Sequence, residues 1–129
     1  MNDHRRLLIV GNPEETHVGH HLCHAAKRED LAVEFCDTRA AFSASWLTIQ
    51  LSWRLRGHRP PLLRAFSRDV VSACHRFRPH WLLATGLAPM SARALQQVRQ
   101  LGVVCLNYLT DDPWNPKQFA KRFLREITR

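Results

Sequence analysis

Leu7-Leu8-Ile9-Val10-Gly11-Asn12-Pro13 is a short apolar run stopped by a glycine, an asparagine and a proline. A run this short, closed by turn-forming residues, reads as a buried parallel strand that enters a loop. Val18, Leu22, Ala25 and Ala26 then share one face of a helix. Working outward, residues 31–36 read as a second strand ending at Asp37, and residues 41–56 as a long helix halted by Gly57 and Pro60-Pro61. A helix over 62–77 stops before Pro79, where a proline disfavours helical backbone in the residue ahead of it. Residues 80–85 read as a third strand closed by Gly86, 91–101 as a helix stopped by Gly102, 103–109 as a fourth strand, and 116–127 as a last helix. Strands alternating with helices predict an α/β fold: a Rossmann-like parallel sheet with helices on both faces.

The 129 residues suit one domain, expected to span 1–129. No apolar run approaches the roughly 18 residues of a membrane span, and Leu7 to Val10 is too short for the apolar core of a secretory signal. A cytoplasmic location is therefore expected. Cys23, Cys36, Cys74 and Cys105 contain no CxxC pair, which argues against a zinc ribbon and for small core hydrophobes. Nineteen Lys+Arg against eleven Asp+Glu give a formal net charge of +8, which favours anionic partners. Only three of the nineteen are lysines, so genomic base composition explains the arginine excess as readily as binding does.

In open parallel sheets, ligands sit outside the carboxyl ends of the strands. Three loops lie there: 11–19, 86–89 and 110–116. Within them Gly11, Asn12, Gly19, Gly86, Trp114 and Asn115 are the candidate substrate-binding positions. The first loop is not G-x-G-x-x-G, because its glycines stand eight residues apart with Pro13, Glu14 and Glu15 between them. Those acids would repel a pyrophosphate. No Gly-Lys-Ser/Thr of a phosphate loop follows, and the D-x-H-x-x-G pattern of cobalamin-binding domains fails because Gly19 arrives one residue early. Thr16 is the expected N-cap, and no cofactor is expected.

His17, His20, His21 and His24 form a stripe at helical spacing. Pairs four residues apart can chelate a metal, but no acidic or cysteine ligand completes a set, so no metal site is expected. His17 stands at the helix start beside the crevice, where an imidazole serves either as a general base or as a capping residue. Asp111-Asp112-Pro113-Trp114-Asn115-Pro116 ends the fourth strand at the same crevice. One acid there could hold a histidine tautomer, both could bind hydroxyls, or Asp112 or Asn115 could cap the last helix. Residues 45–56, with Trp46, Trp53 and flanking arginines, suit either core packing or peripheral contact with an anionic membrane at its inner face. No nucleic-acid-binding motif is present.

Leu8-Ile9-Val10-Gly11, His17-Val18-Gly19 and Asn107-Tyr108-Leu109-Thr110-Asp111-Asp112-Pro113-Trp114 together resemble the amino-terminal domain of a GT-B glycosyltransferase, and within that class the CgeB-type (spore-maturation-protein-like) group. The resemblance implies two Rossmann-like domains in the whole enzyme. The first would bind a sugar acceptor and the second a nucleotide-sugar donor. It implies further that His17 acts as base on the acceptor hydroxyl, supported by Asp111 or Asp112. The donor-binding domain is expected to be absent from these residues, so no transfer activity is expected of this polypeptide alone. The competing expectation is a non-catalytic α/β module that binds an anionic ligand or a protein partner.

Overall fold

A computed structural model of the chain describes residues 5–43, 62–86 and 88–110, together with residues 47, 51, 54 and 55. Its elements run β1 (Arg6–Gly11), α1 (Val18–Arg28), β2 (Ala32–Asp37), a 3-10 helix (Thr38–Phe42), α2 (Leu63–Phe77), β3 (Trp81–Thr85), α3 (Ala92–Gln100) and β4 (Val104–Tyr108). The four strands form one parallel sheet in the order β2-β1-β3-β4.

That order follows from two crossovers in opposite directions. The chain leaves β1 through α1 to reach β2 on one side, then returns across β1 to build β3 and β4 on the other. Right-handed crossovers therefore place α1 on one face, and α2 with α3 on the opposite face. Packing agrees. Gly19 of α1 faces Phe35 of β2 and Thr85 of β3, while Leu8, Val10, Leu82 and Ala84 point the other way into a cluster with Phe66, Val70, Ala73 and Cys74 of α2 and Ala94 and Val98 of α3. Leu8, Ile9, Val10 and Leu82 are 0% exposed, and each such side chain contributes about 1.5–3 kcal/mol of transfer free energy.

Helix α2 buries Leu63, Phe66, Val70, Ala73 and Cys74 at spacings of three and four, the stripe its sequence predicts. It ends where Arg78 turns left-handed at φ 49° just ahead of Pro79. At the start of α3, Ser91 Oγ accepts from the Ala94 N–H at 3.2 Å, while the Ser91 N–H donates to the buried Ser67 Oγ at 3.0 Å. This pair ties the two helices of that face together.

Three local expectations are corrected. The N-cap of α1 is His17, in extended backbone and with no side-chain cap bond, rather than Thr16. Ala25 is exposed; the buried residues of α1 are Gly19 and Ala26, because the helix presents its narrowest side to the sheet. The chain after β2 enters a 3-10 turn over Thr38–Phe42, so the long helix expected from Ala41 does not start there. The cause of the turn is local: Asp37 Oδ1 accepts from the Arg39 N–H at 2.9 Å and tightens the backbone at once. Of residues 45–56 only Leu47, Leu51, Arg54 and Leu55 are described, all helical and exposed. No described helix is long and apolar enough to cross a membrane.

Candidate functional site

The strand order reverses between β1 and β3, so a crevice opens at their carboxyl ends, beyond Gly11 and Thr85. A Cβ on Gly11 would collide with Thr85 Oγ1. A Cβ on Gly19 would lie 3.1 Å from the Asn12 carbonyl, 3.3 Å from Phe35 Cζ and 3.4 Å from Thr85 Oγ1. Both glycines thus let the first loop, α1, β2 and β3 meet at close range, and the first helical turn is approached by the Asn12 carbonyl and by the side chains of Phe35 and Thr85. Thr85 donates weakly to the Val10 carbonyl at 3.4 Å.

Asn12 shapes the loop, its Oδ1 accepting from the Glu14 N–H at 3.0 Å. The His17 N–H donates to the Glu14 carbonyl at 2.9 Å, and the His17 carbonyl accepts from the His20 N–H at 3.1 Å. These bonds place the His17 ring at the junction of loop and helix, half exposed, with Nε2 3.9 Å from Glu14 Oε2. His20 is turned away from this role, since its Nδ1 donates to the Pro13 carbonyl at 3.0 Å. The rings of His20 and His24 lie 4.5 Å apart between centroids. Among the described residues no group of three or more His, Cys, Asp or Glu side chains is arranged to hold a metal ion.

On the far rim Gly86, at φ 63°, makes the turn out of β3 in a conformation that favours glycine. Its N–H donates to the Tyr108 carbonyl at 2.8 Å, and Thr110 Oγ1 lies 3.8 Å from where its Cβ would be. The end of β4 is thereby held against the end of β3 at the crevice. Asp111, Asp112, Trp114 and Asn115 lie outside the described residues.

A group that the sequence reading did not single out closes the β2 side. Arg39 binds Asp37 through Nε and Nη2, the latter 2.7 Å from Oδ2, and reaches Glu14 Oε1 through Nη1 at 3.1 Å. The Arg39 hydrogen bonds hold the Asp37 carboxyl below its ordinary value. This cluster joins the β1–α1 loop to the end of β2. Its readable trace is an acid at a strand end two residues ahead of an arginine. With Glu14, Glu15 and Asp37 set against Arg39, this side of the crevice is net acidic.

The thiols are a separate matter. Cys36, Cys74 and Cys105 converge on the α2 face of the sheet. Burial pushes Cys36 up to about 11 and Cys74 up to about 12, so both are protonated at neutral pH and neither is poised as a nucleophile. A further groove of about 1170 Å³ runs along α3 and the β4 edge, lined by Ala84, Ala88, Leu95, Arg99, Cys105 and Asn107 among others.

The architecture is that of a Rossmann-like α/β domain with a crevice at its switch point. Among solved structures, the glycosyltransferase SnogD from Streptomyces nogalater superposes with a TM-score of 0.59 at 14% identity, over 95% of this chain and 42% of that one. The likeness is one of fold, and the chain spans less than half the length of that structure. No protein-family model and no curated protein matches the sequence.

Proposed function

We propose that this chain is the acceptor-side domain of a GT-B-type glycosyltransferase, and that a donor-binding domain, continuous or separate, completes the enzyme. The observation that carries the reading is the position of His17: a half-exposed imidazole at the first strand–helix junction, beside the crevice where the sheet order reverses. The fold shared with a glycosyltransferase supports it. In this reading His17 takes the proton of an acceptor hydroxyl as that oxygen attacks the anomeric carbon of a nucleotide sugar, and the nucleotide diphosphate leaves. Asp111 or Asp112 orients the imidazole and stabilises its charged form.

The acidic rim refines the choice of acceptor. Glu14, Glu15 and Asp37 disfavour a phosphate at this end of the crevice and favour a neutral, hydroxyl-bearing molecule, despite the basic surface elsewhere. The same rim weighs against an anion-binding module as the alternative. Sugar transfer measured with the donor-binding half supplied tests the assignment. His17→Ala should lower turnover about 10²–10⁴-fold, the usual worth of a positioned base, and Asp111→Asn or Asp112→Asn should lower it as well. Unchanged turnover in His17→Ala would remove the histidine from the chemistry.

A further inference from the structure

Two of the four histidines that begin α1 are placed differently from the others. His20 and His24 stand one turn apart on the same side of the helix, where residues four positions apart have Cβ atoms about 5–6 Å from one another. Their rings lie 4.5 Å apart between centroids at an interplanar angle of 53°. His20 is half-buried and His24 exposed, so the second ring has room to turn toward the first. His21 meets the His20 ring edge-on at 5.3 Å, and His17 faces Glu14.

The tautomer of His20 is set by its partner. Nδ1 lies 3.0 Å from the Pro13 carbonyl. A carbonyl only accepts, so Nδ1 carries the proton, and in the neutral ring Nε2 keeps its lone pair. Metal-bound imidazoles are held in this way: one nitrogen donates to a backbone carbonyl or a carboxylate, and that bond fixes the tautomer and the ring orientation for the other. The sequence reading expected no metal site because no acid or cysteine completes a set, and among the described residues no three such groups converge. A pair is a smaller requirement. An ion about 2.0–2.1 Å from each of two nitrogens needs them no more than about 4.2 Å apart. Rings at the observed separation reach that spacing once His24 turns.

We propose that His20 Nε2 and a ring nitrogen of His24 form a two-ligand site for a late first-row divalent ion, Zn²⁺, Ni²⁺ or Cu²⁺, with water in the remaining positions. Imidazole suits all three, and Cu²⁺ should bind tightest. Because His20 is bonded to Pro13, the ion would clip the β1–α1 loop to the second turn of α1. The site stands apart from the glycosyltransferase reading, since it uses neither His17 nor the two aspartates after β4.

Titration of the full chain, stripped of metal with EDTA and carrying no affinity tag, tests the site with Cu²⁺ and Zn²⁺ as probes. Calorimetry should show a single strong equivalent per chain. His20→Gln and His24→Gln should each weaken it at least about tenfold, whereas the double change His17→Gln/His21→Gln should leave it within about twofold. Ring ¹⁵N NMR of the parent chain gives a reading that needs no variant. Before metal is added, neutral His20 should carry its proton on Nδ1, and Zn²⁺ should then shift the signals of His20 Nε2 and of the His24 ring. The proposal is overturned by an absence of binding, by equal losses in all the variants, by a loss confined to His17→Gln/His21→Gln, or by a neutral His20 protonated on Nε2.

Discussion

β1 and β4 are both short apolar strands, yet they end in opposite environments. β1 is flanked on both edges and covered on both faces, so Leu8, Ile9 and Val10 lose all contact with water. Among the described residues β4 has one hydrogen-bonded neighbour, and its α1-side residues are about half exposed. An apolar pattern records what a strand is able to bury. What covers it depends on topology and on elements elsewhere in the chain.

Four substitutions break or sharpen this comparison. Leu8→Ala should cost the most, about 3 kcal/mol, because it opens a cavity in a fully enclosed site. Leu106→Ala in β4 should cost about half of that or less, because the side chain is already 49% exposed. Urea denaturation of the two variants beside the parent chain measures both values.

Gly11→Ala comes next, at about 1–3 kcal/mol, since its methyl group would drive into Thr85 Oγ1. Gly11→Ala/Thr85→Ala should recover most of that loss in the same assay, because the colliding oxygen is gone. The smallest effect belongs to the exposed rim. Asp37 has its carboxyl pKa lowered by Arg39, so it favours the folded state above the ordinary value of 3.8, and the benefit is lost as pH falls through the lowered value. Asp37→Asn should therefore lower stability slightly at neutral pH and leave it unchanged below the lowered value, which flattens the acid limb of a stability–pH curve.

Much of the fold was legible because its signals are local. Leu7 to Val10, 80–85 and 103–109 are apolar runs that stop at glycine, asparagine or aspartate, and α2 and α3 carry regular stripes of core residues. The 3-10 turn was not, because it rests on a single side-chain acceptor, Asp37, two residues from its donor. At the crevice, the place of His17 could be read from the loop that precedes it. The Glu14–Arg39–Asp37 cluster could not, since it exists only once β2 is known to lie beside β1. Thr85 was missed for the same reason: its meeting with Gly11 spans 74 positions of sequence and requires the β1–β3 register. Gly11 and Gly19 drew notice as ligand-facing positions, whereas the contacts in front of them are made by the protein itself.

The central place of β1 has a consequence for the chain as it is made. Leu7 is synthesised well ahead of its partner Trp81, which follows 74 residues later. At ordinary rates of translation that interval is roughly 4–15 s. For that time the strand that ends most deeply buried has at best β2 on one side, and its other edge lies open to any passing strand. A nascent chain of this protein is thus most vulnerable to mispairing at the segment that later becomes its best protected, and a chaperone that shields residues 6–11 would act before β3 emerges.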